Sequence, residues 1–330
     1  MFLSEIEHLV APLNSNFLSA YQKLTDSPIA LIKQINSHVQ NNQGKQLRPL
    51  LTMLSAACCG FPIDADANHP LFAVTAAIET LHSSTLIHDD VVDNSDTRRG
   101  KPSINSIWDN KIAVLAGDFY LAKVMQTLNR VDNSEITAII NDAVIQMSEG
   151  ELLQLSLSGK YNTDIETYIT IISKKTASFM AACCQTGATF ATLERPRPRG
   201  QNELEHQFRQ QARLFGLNIG IAFQIRDDIL DYMPTSVTGK PQGNDLVEGK
   251  CTLPLIFALR NKVPLTDTNI NNIIHAVTDG GYLNQAATVL EQYLSKAREA
   301  LTHLPDNQYR SAMSQIVDKL RIGTPASPRA

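Results

Sequence analysis

The sequence predicts an all-α protein, and three observations carry that prediction. Apolar residues recur at helical spacing, almost no stretch alternates apolar with polar residues as a half-buried strand would, and the breaks between periodic stretches are short. Leu71, Val74, Ile78, Leu81 and Leu86 recur at steps of three to five behind Pro70, whose fixed φ and missing N–H suit a first helical turn. Thr163 with Glu166 has the form of a capping box, in which two side chains satisfy the backbone donors of a helix start. Leu204, Phe208, Phe215 and Ile219 recur behind Asn202, which forms a second such box with Glu205. Breaks fall at 60–62, 196–200, 233–249 and 304–307. None is a long flexible linker, so 1–330 is expected to form one domain of about ten helices, with 323–330 frayed.

A chain of 330 residues, 43% hydrophobic, is long enough to bury a sizeable core. Its 29 basic and 33 acidic side chains give a net charge of −4 and no long basic run. Phosphate contacts supply most nucleic-acid affinity, so that partner class is excluded. The greasiest stretch, 169–184, carries Ser173, Lys174, Lys175 and Thr176, so no transmembrane span is expected. The first residues include Glu5 and Glu7 and lack a basic region, unlike a secretory signal, which points to a cytoplasmic protein. Cys58, Cys59, Cys183, Cys184 and Cys251 show neither zinc-type spacing nor a disulfide pattern; they read as reduced packing residues.

Two acid clusters match: Asp89, Asp90 and Asp93 around Val91-Val92, and Asp227, Asp228 and Asp231 around Ile229-Leu230. At about 100° per residue, Asp89 shares a helix face with Asp93, and Asp227 with Asp231. His82 and Thr85 extend the first face backwards, and Gln224 extends the second. Two carboxylates about 5 Å apart repel by about 3 kcal/mol at an effective dielectric near 20, so a cation belongs there. Oxygen donors without His or Cys suit Mg²⁺, which completes its shell with waters and substrate phosphate oxygens. One such cluster reads equally well as a solvated helix end; two with the same internal spacing point to Mg²⁺ and a phosphorylated ligand. Arg98-Arg99-Gly100, Lys45 and Arg48, Lys175-Thr176, Lys240 and Lys250 offer clamps for phosphate oxygens, although each alone is an ordinary surface charge.

At these residues the chain resembles the trans-isoprenyl diphosphate synthases. The resemblance runs through Gly44, Lys45, Arg48 and Pro49; His88 with the first acid cluster and Arg98-Arg99-Gly100; Leu115 to Asp118; Glu149-Gly150-Glu151 with Gln154; and Lys175-Thr176-Ala177. It continues through Phe223-Gln224 with the second acid cluster, Gly239-Lys240, Gly243-Asn244-Asp245 and Glu248-Gly249-Lys250 up to Pro254. The resemblance implies an isoprenoid synthase fold of helices around a deep central cavity, a homodimer, and head-to-tail condensation. An allylic diphosphate, farnesyl or geranylgeranyl, loses pyrophosphate and is attacked by the double bond of isopentenyl diphosphate. Carried over by position, Asp89, Asp93 and Asp227 would ligate Mg²⁺, with Asp90, Asp228 and Asp231 in support. Lys45, Arg48, His82 and Arg99 would hold isopentenyl diphosphate. Arg98, Lys175, Thr176, Gln224, Lys240 and Lys250 would hold the allylic diphosphate. A lone histidine on an apolar face is commonly a core residue, but the alignment of His82 with Asp89 favours a ligand.

Short-chain members often place aromatics just before the first acid cluster; here Ser84 and Thr85 are small, so the growing tail should pass. Leu81, or residues of the helix bearing Phe119, Tyr120 and Met125, would form the floor unless these are ordinary core; Trp108 reads as packing. With the Glu149-Gly150-Glu151 element this resembles a long-chain, octaprenyl-type synthase supplying quinone side chains. A farnesyl or geranylgeranyl synthase is the alternative, as is a non-catalytic subunit of a heteromeric synthase; a terpene cyclase would lack the second aspartate pattern. Phe2, Leu3, Ile6, Leu9, Val10 and Leu13 recur at helical spacing without a basic face, so core packing is expected there, with peripheral membrane contact at most.

Overall fold

A computed structural model describes residues 6, 8–161, 163–193, 202–235, 242–262 and 269–322. The expected fraying at 323–330, the break at 196–200 and the side chain of Asn202 lie outside them. The protein is all-α, with a single two-residue-per-strand hairpin among the described residues. The chain divides into two compact units: 1–140 with 183–209 and 307–309, and 141–182 with 210–306 and 310–330.

The first unit contains α1 (Ala11–Thr25), α2 (Ala30–Asn41), α3 (Leu47–Cys58) and α4 (Pro70–Val92). After α4 come the hairpin β1 (Thr97–Arg98) and β2 (Lys101–Pro102), α5 (Ile104–Ile107) and α6 (Asn110–Val131). Pro70 occupies the first turn of α4 as its position predicts, and the His69 ring caps that helix, accepting from Leu71 N–H at 3.0 Å. Apart from its last turn α4 is buried nearly all round, chiefly against α6 and α1, so its inward hydroxyls must be satisfied locally. Thr75, Thr80 and Ser83 donate to carbonyls one turn back at 2.7, 2.8 and 3.0 Å. Ile6, Val10, Leu13, Phe17 and Tyr21 are buried, so the apolar N-terminal stripe packs inward.

The helix α7 (Ser134–Leu157) leads to the second unit, which contains α8 (Ile165–Ile172), a π-helical turn (Ser173–Ala177) and the start of α9 (Ser178–Leu193). It also holds most of α10 (Asn202–Asp231), then α11 (Asn244–Val247), α12 (Leu253–Arg260), α13 (Ile270–Asp279), α14 (Tyr282–Thr302) and most of α15 (Gln308–Lys319). The expected capping box at Thr163 is corrected: Asp164 is the N-cap of α8, its Oδ1 accepting from Thr167 N–H at 2.7 Å. Aspartate caps as well as threonine and stands one residue closer to the first turn. Cys58, Cys59, Cys183 and Cys184 are buried and Cys251 half-buried, all free thiols. No helix among the described residues is long and apolar enough to cross a membrane.

The crossing of α4 and α6 sets the attitude of the first acid cluster. Ser84 donates to the Gly117 carbonyl at 2.8 Å, and the His88 ring one turn on lies so close that a Cβ on Gly117 would stand 2.2 Å from its Nε2. Gly117→Ala should therefore displace the His88 ring from the Val114 carbonyl 3.2 Å away, read as a shift of the His88 ring signals in NMR spectra. Unchanged ring signals would contradict the close approach.

Candidate active site

Both acid clusters occupy the C-terminal turn of a long helix, Asp89, Asp90 and Asp93 at the end of α4 and Asp227, Asp228 and Asp231 at the end of α10. Unpaired carbonyls give that end a partial negative charge, so the carboxylates there oppose the helix dipole as well as one another. The structure treats the members differently. Asp89 is half-buried and Asp93 exposed, while Asp90 is only 4% exposed. Asp90 Oδ1 accepts from both Nε and Nη2 of Arg98 at 2.7 Å. The hairpin makes this possible: Arg99 and Gly100, both with positive φ, form the two-residue turn that folds Arg98 back over α4.

Beside Asp90 opens a cleft lined by α2, α4 and the hairpin. Ile87 and Ile104 line it and belong to a buried apolar cluster with Ile35, Ala113, Ala116 and Tyr120, against which Trp108 and Phe119 pack. His82, Glu79, Asn42, Arg98 and Arg99 line it. Arg48 Nη1 lies 3.0 Å from His82 Nε2. A guanidinium only donates, so Nε2 accepts and the ring proton sits on Nδ1. Burial, then the charges of Arg48, Arg99 and Arg98, hold the His82 pKa well below its ordinary value, so this ring is neutral at pH 7. Arg99 donates to the Asn42 carbonyl at 2.8 Å and lies over Gly44, where a Cβ would come within 2.5 Å of its Nη2. Glycine at 44 is thus the seat of the Arg99 guanidinium. Lys45 is exposed beside it, just before the left-handed Gln46 that opens α3.

The second cluster has its own network. Asp228 is 3% exposed; its Oδ2 accepts from Tyr168 Oη at 2.6 Å and its Oδ1 from Gln224 Nε2 at 2.8 Å. Gln224 Oε1 accepts in turn from Thr176 at 3.1 Å. Burial raises the Asp228 pKa against these two hydrogen bonds. Asp231 accepts from the backbone N–H groups of Asn244 and Asp245 at 3.1 and 3.0 Å, tying α11 to the end of α10. Burial, and then Asp228 and Asp231, push the Asp245 carboxyl up, with Lys250 opposing at 3.8 Å. Lys250 also contacts Glu248, and Lys175 contacts Glu151. The π-helical turn carries Lys174, Lys175 and Thr176, and Lys174 reaches Glu149 at 2.5 Å and Gln146 at 2.9 Å. Such turns recur at functional positions. Asp227 is half-buried, and Lys240 lies outside the described residues.

No three His, Cys, Asp or Glu side chains among the described residues converge into a closed metal cage. An all-carboxylate, open donor set fits Mg²⁺, which keeps waters and takes phosphate oxygens, and does not fit zinc.

A family model for polyprenyl synthetase matches residues 29–318. The chain belongs to the polyprenyl synthetase family. An all-trans-nonaprenyl-diphosphate synthase (geranyl-diphosphate specific) of Rhodobacter capsulatus is 33% identical, covering 94% of this chain and 95% of that one. Heptaprenyl diphosphate synthase component 2 of Bacillus subtilis (strain 168) is 32% identical, covering 88% and 82%. The structure of a polyprenyl synthase from Caulobacter crescentus CB15, complexed with calcium and isoprenyl diphosphate, matches with a TM-score of 0.83 and 30% identity, covering 100% and 98%. This polyprenyl synthetase is therefore a prenyltransferase of the all-α isoprenyl synthase fold.

Four acidic or hydroxyl side chains around the site escaped sequence reasoning in their roles: Glu79, Glu151, Tyr168 and Asp245. Glu79 continues the face of His82 and Asp93 one turn further back, a signal present in the spacing; Tyr168 had none. Of the floor candidates, Leu81 and Tyr120 are buried, and Tyr120 Oη donates to Asn36 at 2.8 Å as a core residue tied to α2. Met125 is corrected: 65% exposed, it faces outward from α6 because the inward face is taken by Val124 and Leu128. Thr85 is half-buried and donates to the His82 carbonyl at 2.9 Å.

The neutral His82 predicts a pH dependence of stability. Its folded pKa lies below the unfolded value near 6.5, so acidification below that value protonates the unfolded chain first and stability is lost as pH falls. His82→Asn should flatten that loss between pH 6.5 and the folded pKa, measured by denaturant titrations at stepped pH. Parallel curves for both proteins would contradict a neutral, half-buried ring.

Proposed function

We propose that this prenyltransferase is Mg²⁺-dependent and condenses isopentenyl diphosphate head-to-tail onto farnesyl or geranylgeranyl diphosphate, giving a long-chain, octaprenyl-like all-trans product for quinone side chains. One observation carries the reading: on α4, an oxygen-donor cluster adjoins an arginine-lined cleft, and the Asp90–Arg98 pair at 2.7 Å joins them. Asp89, Asp93 and Asp227 would hold Mg²⁺, which when bound neutralises charge gathering on the departing pyrophosphate. Arg48, His82 and Arg99, with Lys45 at the rim, would take the diphosphate of isopentenyl diphosphate; the Nδ1–H of neutral His82 donates without adding charge. Arg98, Lys175, Thr176, Gln224, Lys240 and Lys250 would take the allylic diphosphate. Asp90 and Asp228 act by orienting Arg98 and Gln224, and Asp231 by anchoring α11. The allylic C–O bond breaks, the isopentenyl double bond forms the new C–C bond, and a proton leaves; no side chain need act as nucleophile.

The names of the two curated relatives, heptaprenyl and nonaprenyl, bracket the proposed length. The small Ser84 and Thr85 are consistent with a tail that passes α4. Exposed Leu115 and Met125 on α6 support a homodimer, and a cytoplasmic location fits the lack of a membrane-crossing helix among the described residues. The Bacillus relative is named a component, which gives substance to a second reading, one chain of a heteromeric synthase.

The isolated chain, supplied with Mg²⁺, labelled isopentenyl diphosphate and farnesyl diphosphate, should yield products longer than four units. Products of three or four units would favour a short-chain synthase, and none without a second protein the component reading. Asp89→Ala or Asp227→Ala should abolish turnover while circular dichroism stays helical; undiminished turnover would refute the metal assignment. Thr85→Phe should shorten the product, each helical turn of about 5.4 Å corresponding to roughly one isoprene unit. An unchanged length distribution would mean that the tail avoids this level.

A further inference from the structure

Glu79 stands on α4 on the stripe that continues through His82, Leu86, Asp90 and Asp93, and no role has been assigned to it so far. It lines the arginine cleft, is 6% exposed, and its Oε2 is buried without a hydrogen-bond partner. A buried carboxylate in this condition is costly unless neighbouring charge compensates it. Burial raises the Glu79 pKa, and two guanidinium groups compensate in part: Arg48 and Arg99 both favour the ionised form against that burial. The converse holds too. Arg99 presses on Arg48, and Arg98 on Arg99, while Glu79 stabilises the charge of both Arg48 and Arg99. The other acid lining the cleft, Asp90, is committed to Arg98.

An ionised carboxylate cannot itself donate to a phosphate oxygen, so its place in a diphosphate cleft calls for another explanation. Arg99 is exposed and held by one backbone carbonyl and the seat at Gly44, so repulsion from Arg48 and Arg98 would draw it off that seat. We propose that Glu79 is a positioning residue for isopentenyl diphosphate, its carboxylate holding Arg48 and Arg99 in the places from which they grip that diphosphate. The inference rests on the assignment of this cleft to isopentenyl diphosphate made under the proposed function. Glu79 changes neither bond nor proton during turnover. Its effect is preorganisation, which lowers the cost of binding one substrate and leaves the other alone.

The test is steady-state kinetics of the full-length protein, each substrate varied at saturation of the other, for wild type, Glu79→Gln and Glu79→Asp, with thermal melts alongside. Glu79→Gln keeps the shape and removes the charge; KM for isopentenyl diphosphate should rise about tenfold, with kcat and KM for farnesyl diphosphate within twofold. Glu79→Asp restores the charge one methylene back and should show a rise of about threefold, which decides the matter alone if the glutamine variant does not fold. An unchanged or lower KM for isopentenyl diphosphate, or equal rises in both KM values, would overturn the positioning role. A wild-type protein that fails to incorporate isopentenyl diphosphate would instead overturn the functional reading beneath it.

Discussion

Carboxylates gathered at the negative end of a helix are the constraint around which this protein is organised. Asp89, Asp90 and Asp93 close α4, and Asp227, Asp228 and Asp231 close α10, so each group meets its neighbours' charge and the carbonyl end of its own helix. Such a turn persists only with compensation. At α4 the protein supplies a guanidinium, Arg98, to the buried middle aspartate. At α10 it supplies neutral donors, the Tyr168 hydroxyl and Gln224 amide to Asp228 and two backbone N–H groups to Asp231. The more accessible Asp89, Asp93 and Asp227 are the members assigned to Mg²⁺.

The cations obey a complementary rule. Arg98 is held by Asp90, Lys175 by Glu151, Lys250 by Glu248 and Asp245, and Lys174 by Glu149. Each of these four side chains thus has a resting place, and a diphosphate bound as proposed would exchange one anionic partner for another without having to order a disordered chain. His82 is the exception that clarifies the pattern: among three arginines it is kept neutral, so it adds a directional donor where more positive charge would be repelled.

Much of this was legible in the sequence because helical periodicity and the acid spacing are local. Pro70 marks the start of α4, the stripe from His82 to Asp93 lies on one face, and the family resemblance identified the arginines of the cleft. What escaped depends on neighbours distant in sequence. Tyr168 lies 60 positions from Asp228 and sits among isoleucines, so nothing local marks it as a carboxylate donor. The π-helical turn at Ser173–Ala177 inserts a residue that a 3.6-residue period does not anticipate. The cap of α8 shifted from Thr163 to Asp164 because two capping residues stand side by side and only geometry chooses between them. Met125 faced out because α6 has two candidate inward stripes, and Val124 with Leu128 fills one.

As proposed, the two acid clusters would bind divalent cation and diphosphate together. The most direct measurement is the thermal midpoint of wild type, Asp89→Asn and Asp227→Asn with Mg²⁺ alone, inorganic pyrophosphate alone, and both. Ligand that binds only the folded state raises the midpoint by mass action, so the wild type should be stabilised by the pair far more than by the sum of each alone, and neither variant should show that excess. Equal stabilisation of all three proteins, or none by the pair in the wild type, would contradict the account.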